Sequence, residues 1–341
     1  MEAGHSVRMT DAVAVRKHIT ERKYEHMVKS MNAAIAGLKA HQTRLDVIGN
    51  NIANVNTWGY KSRSTNFQDS VYTNVMNGQA GEVRTGSLGG INVSQLGYGS
   101  VVSSISTNFG TSNGQYTGNE LDCMVDGPGF LIVGAYRDQA VAADPDTGEV
   151  NLAREGLYLS RVGILRPDAN GFLVDDSGNY VYGYAPSGEV DENGKELMNL
   201  GELKPIRIPY VTDENNVPIE PNELYAISTW RIGTDGTVVG TDKDGVPHTI
   251  GQIAVASVEN PNGLNQKSGY YYEIGNNTGR VIGMRATDAT GMIRSGFLEM
   301  SNTDLALDFA TMITTERGYQ ANTKIITVTD EILEQLVNMK R

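Results

Sequence analysis

The acidic turns are the part of this sequence whose residue types could do chemistry, since clustered carboxylates can bind calcium. Asp144, Asp146 and Glu155 stand in an order that loosely resembles a calcium-binding loop. Such a loop needs an oxygen ligand at its fifth position and a glycine at its sixth, where this chain has Gly148 and Glu149. We therefore interpret the acidic turns as hairpin connections, in which Asp and Gly serve conformational roles. We predict no metal site and no other cofactor.

The thiol of Cys123 is the second candidate for chemistry. Cys123 is the only cysteine, so the chain can form no intramolecular disulfide. It alternates with Leu121 and Val125 in a strand-like pattern, which places the three side chains on one face. The adjacent residues include no Lys, Arg or His that would favour the thiolate. We therefore predict a small buried side chain on a strand and no reactive thiol.

Histidines and tyrosines offer weaker patterns. Three histidines near the N-terminus are spaced 13 and 8 residues apart, which matches no standard zinc-ligand pattern: His5, His18 and His26. Five tyrosines could suggest a sugar-binding surface, although strand alternation and subunit contacts explain them more simply: Tyr60, Tyr270, Tyr271, Tyr272 and Tyr319. The sequence contains no phosphate-binding glycine loop, no His-Glu-x-x-His and no Gly-x-Ser-x-Gly elbow in a strand–turn–helix context. We therefore expect a protein that is not an enzyme.

The composition of the chain argues against two kinds of partner, nucleic acids and membranes. The 341 residues carry a net charge of −12, which argues against binding to nucleic acid, because phosphates require a basic surface. No apolar stretch approaches the roughly 20 residues of a membrane-spanning helix, so we expect no membrane insertion. The 39 glycines favour short strands and turns over a helical core.

Any functional residue must be positioned by secondary structure, and the clearest predicted elements are a helix at each end of the chain. Both ends carry an apolar residue at every seventh position, which is typical of a coiled-coil seam. In the N-terminal helix, predicted over 27–57, these residues are Met31, Leu38, Leu45 and Ile52. In the C-terminal helix, predicted over 301–341 with an N-cap at Ser301 or Asn302, they are Leu305, Met312, Tyr319, Ile326 and Leu333.

The C-terminal helix needs a neighbour. The companion position of its predicted seam is apolar at the ends and polar in the middle: Phe309, Glu316, Thr323, Asp330 and Val337. A long helix with such a seam is marginal on its own in water. The N-terminal helix is the candidate neighbour within the chain, and other copies of the protein are the candidates between chains.

The sequence between the two helices predicts an antiparallel β-body. Short runs such as 130–133, 171–174 and 180–184 alternate with Asp-Gly and Asn-containing turns, which is the pattern of hairpins. We predict an N-terminal extension over 1–26, a linker and first strands over 58–120, and a β-domain over 121–300. The polar residues within 186–228 are predicted to form a small insertion or exposed loops.

Both ends also carry motifs of a known family. Residues 45–61, LDVIGNNIANVNTWGYK, closely resemble the N-terminal signature of bacterial flagellar rod and hook proteins, and residues 298–341 resemble the C-terminal region of the same family. Segments 121–130, 158–163, 168–174 and 253–264 resemble motifs of the family's β-domain. The family-motif residues are Asp46, Asn50, Asn51, Asn54, Gly59, Tyr60, Asn302, Arg317, Gln320 and Asn322.

The resemblance implies a structural protein that assembles with itself. Family members leave the cell through the flagellar type III export apparatus and polymerise beneath a cap into a helical tube. Their terminal helices pair around the channel, and their β-domains form the wall. The implied partners are other copies of the chain, the hook cap, the distal rod and the hook–filament junction proteins. The implied location is the flagellum, outside the cell.

Two positions in that tube remain open. The C-terminal residues and the segment 89–99 most resemble hook proteins, whose tube is a universal joint that passes motor torque to the filament. The short insertion, by contrast, makes the chain nearly as compact as the distal rod protein, which is the alternative. For either position, removing the residues after Ala321 is expected to leave a folded β-body that no longer polymerises.

Overall fold

The structure, a computed structural model, describes residues 29–81, 89–136, 140–142, 150, 152–190, 196–211, 224–267, 269–286 and 290–338. Several predicted features lie wholly or partly outside the described residues: the extension over 1–26, the acidic turn at 144–149, positions 191–195 and 212–223 of the insertion, positions 82–88 of the linker, and the outermost residues of the two terminal helices (27–28 and 339–341). The described chain divides into two compact units.

The first unit joins both ends of the chain. It consists of residues 29–53, Arg63–Ser106 and the chain from Asp304 onward. Its helices are α1 (residues 29–53) and α3 (Leu305–Asn338). Its strands are β1 (Arg63–Asp69), β2 (Tyr72–Met76), β3 (Ser94–Gly97) and β4 (Ser100–Thr107). Strand β1 pairs with β4, and β2 forms an antiparallel ribbon with β3.

The second unit, residues 54–62 and 107–303, is the β-body. Its described helices are the short α2 (Leu152–Glu155) and a single 3-10 turn (Pro261–Gly263). The strands before residue 200 begin with β5 (Gly114–Tyr116), β6 (Cys123–Asp126), β7 (Phe130–Gly134), β8 (Val141–Ala142), β9 (Leu157–Ser160), β10 (Leu165–Pro167), β11 (Leu173–Asp175), β12 (Tyr180–Val190) and β13 (Glu196–Pro205). The later ones are β14 (Ile227–Ile232), β15 (Thr237–Asp242), β16 (Pro247–Ile253), β17 (Val255–Val258), β18 (Asn265–Gln266), β19 (Tyr271–Glu273), β20 (Val281–Met284), β21 (Met292–Ser295) and β22 (Phe297–Glu299).

The β-body is built on one large sheet with the order β14-β15-β16-β12-β7-β9-β19-β18 and side branches. The pairings recorded between its strands are antiparallel, as the hairpin turns predicted. At the β15–β16 turn, for example, Gly245 has φ +80° and donates its N–H to the carbonyl of Asp242. Glycine adopts this conformation without strain, which explains the Asp-x-x-Gly spacing. The predicted mainly β fold with a helix at each end is confirmed.

Two buried clusters lie on opposite faces of β7. Leu131 and Val133 belong to one cluster, while Phe130 and Ile132 belong to the other. This alternation follows from the two-residue period of a strand. Cys123 is fully buried in the first cluster together with Leu121 and Val125, so the predicted burial on one face is confirmed. Burial, and next the charge of Asp122, raise the pKa of the Cys123 thiol to about 12.

Two local expectations were wrong. Residues 196–205 form β13 and not exposed loops, which were one of the two alternatives for this segment, because Met198 and Leu203 are apolar enough to be buried against the core. The cap of α3 is Asp304 and neither Ser301 nor Asn302. Its Oδ1 accepts hydrogen bonds from the N–H groups of Ala306 (3.0 Å) and Leu307 (3.1 Å), which the helix itself leaves unsatisfied.

Candidate assembly surface of the terminal helices

The two terminal helices contact each other inside the first unit, and glycines mark the contacts. A Cβ atom on Gly37 of α1 would lie 2.8 Å from Nδ2 of Asn322 on α3. A Cβ atom on Gly318 of α3 would likewise lie 2.8 Å from Nε2 of His41 on α1. Each helix therefore presents a glycine on which a side chain of the other helix rests.

A third contact fixes the same register. The side chain of Asn51 on α1 hydrogen-bonds Asp308 on α3. His41 follows Gly37 by four residues on α1, and Gly318, the partner of His41, precedes Asn322, the partner of Gly37, by four residues on α3. A further ten residues forward to Asn51 corresponds to ten residues back to Asp308. The three contacts therefore agree on one antiparallel alignment, and a shift of either helix by one residue would break all of them.

Asn51 also ties α1 to the strand that follows it. Its Oδ1 accepts the N–H of Arg63 (3.0 Å), and its Nδ2 donates to the carbonyl of the same residue (2.9 Å). The side chain is 2% exposed, so these bonds replace those that water would make. Burial, and less strongly the charge of Asp304, raise the pKa of Asp308, while the bond from Asn51 opposes that shift.

The predicted seam residues lie beside these contacts. All four residues on α1 are half-buried: Met31, Leu38, Leu45 and Ile52. On α3, Leu305 is exposed, and the other four are half-buried: Met312, Tyr319, Ile326 and Leu333. The residues most deeply buried on α1 are Ala34, Gly37, Ala40, Ile48 and Asn51, and those on α3 are Thr315 and Thr329; all except Ile48 are small or polar. The recorded helix-to-helix contact therefore runs through small and polar residues.

The exposed surface of α3 carries two apolar patches. Leu305, Phe309 and Ile313 follow one another at four-residue spacing and thus share a face. A second set, Ile325, Val328 and Ile332, forms another exposed face further along the helix. Phe309 is 49% exposed and Ile313 is 59% exposed. The whole companion position of the predicted seam is exposed: Phe309, Glu316, Thr323, Asp330 and Val337.

Four family-motif residues are exposed on the helices. Asp46 and Asn50 lie on the exposed side of α1. On α3, Arg317 donates to Oε1 of Gln320 (3.1 Å), whose amide donates to Glu316 (3.0 Å). These bonds form a polar patch one helical turn long.

Most of the remaining motif residues form a junction in the second unit. Asn54 accepts a hydrogen bond from the Thr57 hydroxyl, and Gly59, at φ +63°, donates its N–H to the carbonyl of Glu299. The Asn302 side chain accepts the N–H of Ser62 (2.7 Å) and donates to the carbonyl of Asn108 (2.8 Å). The Asn302 N–H also donates to the carbonyl of Tyr60 (3.4 Å). These bonds join the chain leaving α1 to the chain entering α3.

A buried charge cluster underlies this junction. Nζ of Lys61 lies 2.7 Å from Oε1 of Glu299, and Nη1 of Arg161 lies 3.6 Å from Oε2 of the same carboxylate. The three side chains are at most 1% exposed. The Arg161 guanidinium also lies over the ring of Phe130, 4.8 Å from its centroid. Burial lowers the pKa of Arg161 and, together with the charge of Arg161, that of Lys61.

Sequence reasoning missed both the glycine contacts and this charge cluster. Gly37 and Gly318 gave a usable signal, because a glycine inside a helical pattern often marks a close approach. Lys61 and Glu299 are distant in the sequence and carry no signal of their pairing. The described residues contain no group of three His, Cys, Asp or Glu side chains that could hold a metal ion. Among the same residues, no helix is both long and apolar enough to cross a membrane.

Comparison with known proteins points to one family at both ends of the chain. The family model described as "Flagella basal body rod protein" matches residues 31–61, and the one described as "Flagellar basal body rod FlgEFG protein C-terminal" matches residues 294–339. These two matches cover α1 with the junction, and β21 through α3.

Relatives that are covered over their full length are also flagellar rod and hook proteins. The flagellar basal-body rod protein FlgG of Bacillus subtilis is 36% identical, with 92% of this chain and 100% of the relative covered. The flagellar hook protein FlgE of Borreliella burgdorferi is 28% identical with the same coverage. The crystal structure of the Helicobacter pylori flagellar hook protein FlgE2 aligns with a TM-score of 0.33 and 10% identity, covering 56% of this chain and 100% of that one, which is too distant to support an argument. The chain therefore belongs to the family of flagellar rod and hook proteins.

Proposed function

We propose that this protein is a self-assembling structural subunit of the flagellar axial tube and has no catalytic role. The observation that carries the proposal is the outward side of α3, where apolar residues at helical spacing are exposed in the single subunit. Exposed apolar faces of this extent are typical of surfaces that become buried in a complex. Because family members are rod and hook proteins, we assign that face to other copies of the chain.

The β2–β3 ribbon supports the same proposal. It is a two-stranded ribbon, which is marginally stable without a neighbour. Large apolar side chains on and beside it are exposed, including Val71 (73%) and Val75 (61%), and also Tyr72, Met76, Ile91 and Val93. We propose that adjacent subunits cover this ribbon. A contact of α3 or the ribbon with a different part of the next copy produces an open helix of subunits, as a tube requires.

The helix pair supplies the inner part of the proposed tube. In this proposal α1 and α3 pair in the manner of a coiled coil, and the predicted seam residues complete the contact when other copies pack beside them. Besides those in the junction, the predicted family-motif residues have two roles in this proposal. Asn51 and Asn322 hold the pair together, while the exposed residues face other copies: Asp46, Asn50, Arg317 and Gln320. Export through the type III apparatus and contact with the hook cap, distal rod and hook–filament junction proteins belong to the same proposal.

An assembly assay tests the outward face. Replacing Phe309 and Ile313 by Gln removes apolar area and keeps residues that favour helix. We expect this double variant to fold, as judged by circular dichroism, but to form no tubes at concentrations where the unaltered chain does. The matched control replaces Thr314 and Thr323 of the same helix by Gln, which exchanges one polar residue for another. Equal tube formation by both variants would contradict the proposal.

Two positions in the tube are supported by separate observations. The hook is supported by the C-terminal motif and by relatives named hook protein. The distal rod is supported by length: the alignment with the Bacillus rod protein spans 317 positions, whereas that with the Borreliella hook protein spans 445, which exceeds this chain of 341 residues. The Borreliella hook protein thus contains segments that this chain lacks.

Electron microscopy of cells that lack this protein separates the two positions. If the chain builds the hook, basal bodies from these cells carry a complete rod and no hook. If it builds the distal rod, the rod itself is shortened. Basal bodies with an intact rod and hook would contradict both.

A further inference from the structure

We propose that two contacts set the register of the terminal helices: the neutral imidazole of His41 is seated on Gly318, and Asn322 is seated on Gly37. Protonation of the imidazole then displaces it from Gly318. The contact concerns a single chain. Its consequence, that acid weakens assembly, rests on the proposed function.

The seating is reciprocal. Gly37 and His41 are four residues apart on α1, and Gly318 and Asn322 are four residues apart on α3. Each glycine leaves the space that the other helix's side chain fills, at 2.8 Å from the position a Cβ would take. Gly49, also on α1, has no atom within 4 Å of its Cβ position. The close approach of a side chain from the other helix is therefore found at Gly37 and Gly318 and not at every glycine of these helices.

The site disfavours a charged ring. Nδ1 of His41 is buried and has no hydrogen-bond partner among the described residues. The ring meets the edge of Phe67 on β1, with centroids 5.8 Å apart. A protonated imidazole must donate from both nitrogens, and here the buried nitrogen has no acceptor. Protonation therefore places a charge on a half-buried ring and leaves an unsatisfied donor at its buried nitrogen.

The charged groups around His41 do not compensate. On α1, Arg44 carries the same charge as a protonated ring and lies over Phe67, 5.4 Å from its centroid. On α3, Glu316 and Arg317 adjoin Gly318 in the chain, but both are exposed and bonded to Gln320. On β1 the charged residues, Arg63 and Asp69, lie at the two ends of the strand, and Asp69 accepts a bond from Tyr72.

The direction of the pH effect follows. Burial, and next Arg44, lower the pKa of His41 below its ordinary value of 6.5. The separated helices then bind a proton more readily than the paired helices, so pairing weakens as the pH falls from the ordinary pKa to the lowered one. Above the ordinary value the ring is neutral in both states, and the full contact is present.

The seating is tested first by substitution in the full chain, read out by hydrogen exchange of the α1 and α3 peptides. Alanine is a better helix former than glycine, so Gly49→Ala is expected to leave protection unchanged or raised. Gly318→Ala is expected to lower it severalfold at pH 7.5, because the new methyl displaces His41. In the Gly318→Ala variant, adding His41→Ala is expected to restore protection. Equal behaviour of Gly318→Ala and Gly49→Ala, or absence of protection in the unaltered chain, would overturn the proposal.

The proton step is tested with His41→Gln, which retains a polar side chain that does not titrate. Nuclear magnetic resonance should show a histidine signal, absent from this variant, that titrates below the ordinary value. Between pH 7.5 and 5.5, protection corrected for intrinsic exchange should fall severalfold in the unaltered chain and stay constant in His41→Gln. Parallel profiles would refute the proton step. These readouts use single chains, so they stand apart from any failure to form tubes.

Discussion

The carboxylate of Glu299 faces two cations, Lys61 and Arg161, at a site from which water is nearly excluded. It also accepts the N–H of Ser112 at 2.9 Å, and Nζ of Lys61 donates to the carbonyl of Gly110 at the same distance. One side chain therefore joins the junction after α1, the strand before α3 and the β-body. Buried charges are costly unless an opposite charge lies close, and Glu299 is the one carboxylate that the ion pairs recorded among the described residues place beside both cations.

Glu299→Gln tests this cluster. The substitution leaves two buried cations without a counter-charge, and we expect it to lower the free energy of unfolding by about 3–5 kcal/mol in urea titrations of the full chain. The matched control is Arg294→Gln, which removes an ion pair to Asp126 whose side chains are about half exposed. That loss should stay below about 1 kcal/mol, since water screens exposed pairs. Similar losses in the two variants would mean that the buried cluster is not a main support of the junction.

The seam between α1 and α3 shows, at the scale of the element, why sequence periodicity found the helices but missed their contact. The apolar repeats identified two helices. A search for large apolar residues does not find the recorded contacts at Gly37 and Gly318, since close helix packing there uses glycine. The large apolar residues of α3 lie partly on the outward side, which is expected if other copies cover them.

The N-terminus of α3 gives a prediction for the same element. Asp304 caps the helix through two hydrogen bonds, so Asp304→Ala should cost about 1 kcal/mol of local helix stability. The loss should be visible as faster hydrogen exchange in the first turn, while Asp304→Asn, which also accepts bonds, should retain most of the protection. Asp330→Ala, at an exposed position of the same helix, serves as the control. A first turn that exchanges equally fast with and without Asp304 would contradict the cap.

The whole molecule could be predicted in outline because its signals are local. Turn residues such as Asp242 and Gly245 identify hairpins, and the alternation around Cys123 identifies a buried strand. The order of strands in the large sheet could not be predicted, because β12 pairs not only with its chain neighbours β11 and β13 but also with β7 and β16, which are remote in sequence. Strand β13 was not predicted, because the polar residues around Met198 and Leu203 suggested an exposed segment.

The division of the molecule into two units matches a division of labour in the proposed tube. The first unit holds both terminal helices and the exposed ribbon, whereas both large buried clusters belong to the second. The β-body therefore has its own core and does not depend on the end of α3 for it. Assembly and folding should then be separable by a deletion that affects α3 alone.

The most direct test of the account is electron microscopy of polymerised protein, comparing the full chain with a variant that ends at Ala321. The variant retains the complete β-body and loses Asn322 and the second exposed apolar face of α3. We expect the full chain to form tubes and the variant to remain a folded monomer, with the strand signal of its β-body unchanged in circular dichroism. Normal tubes from the variant would contradict the central claim that the terminal helices build the assembly.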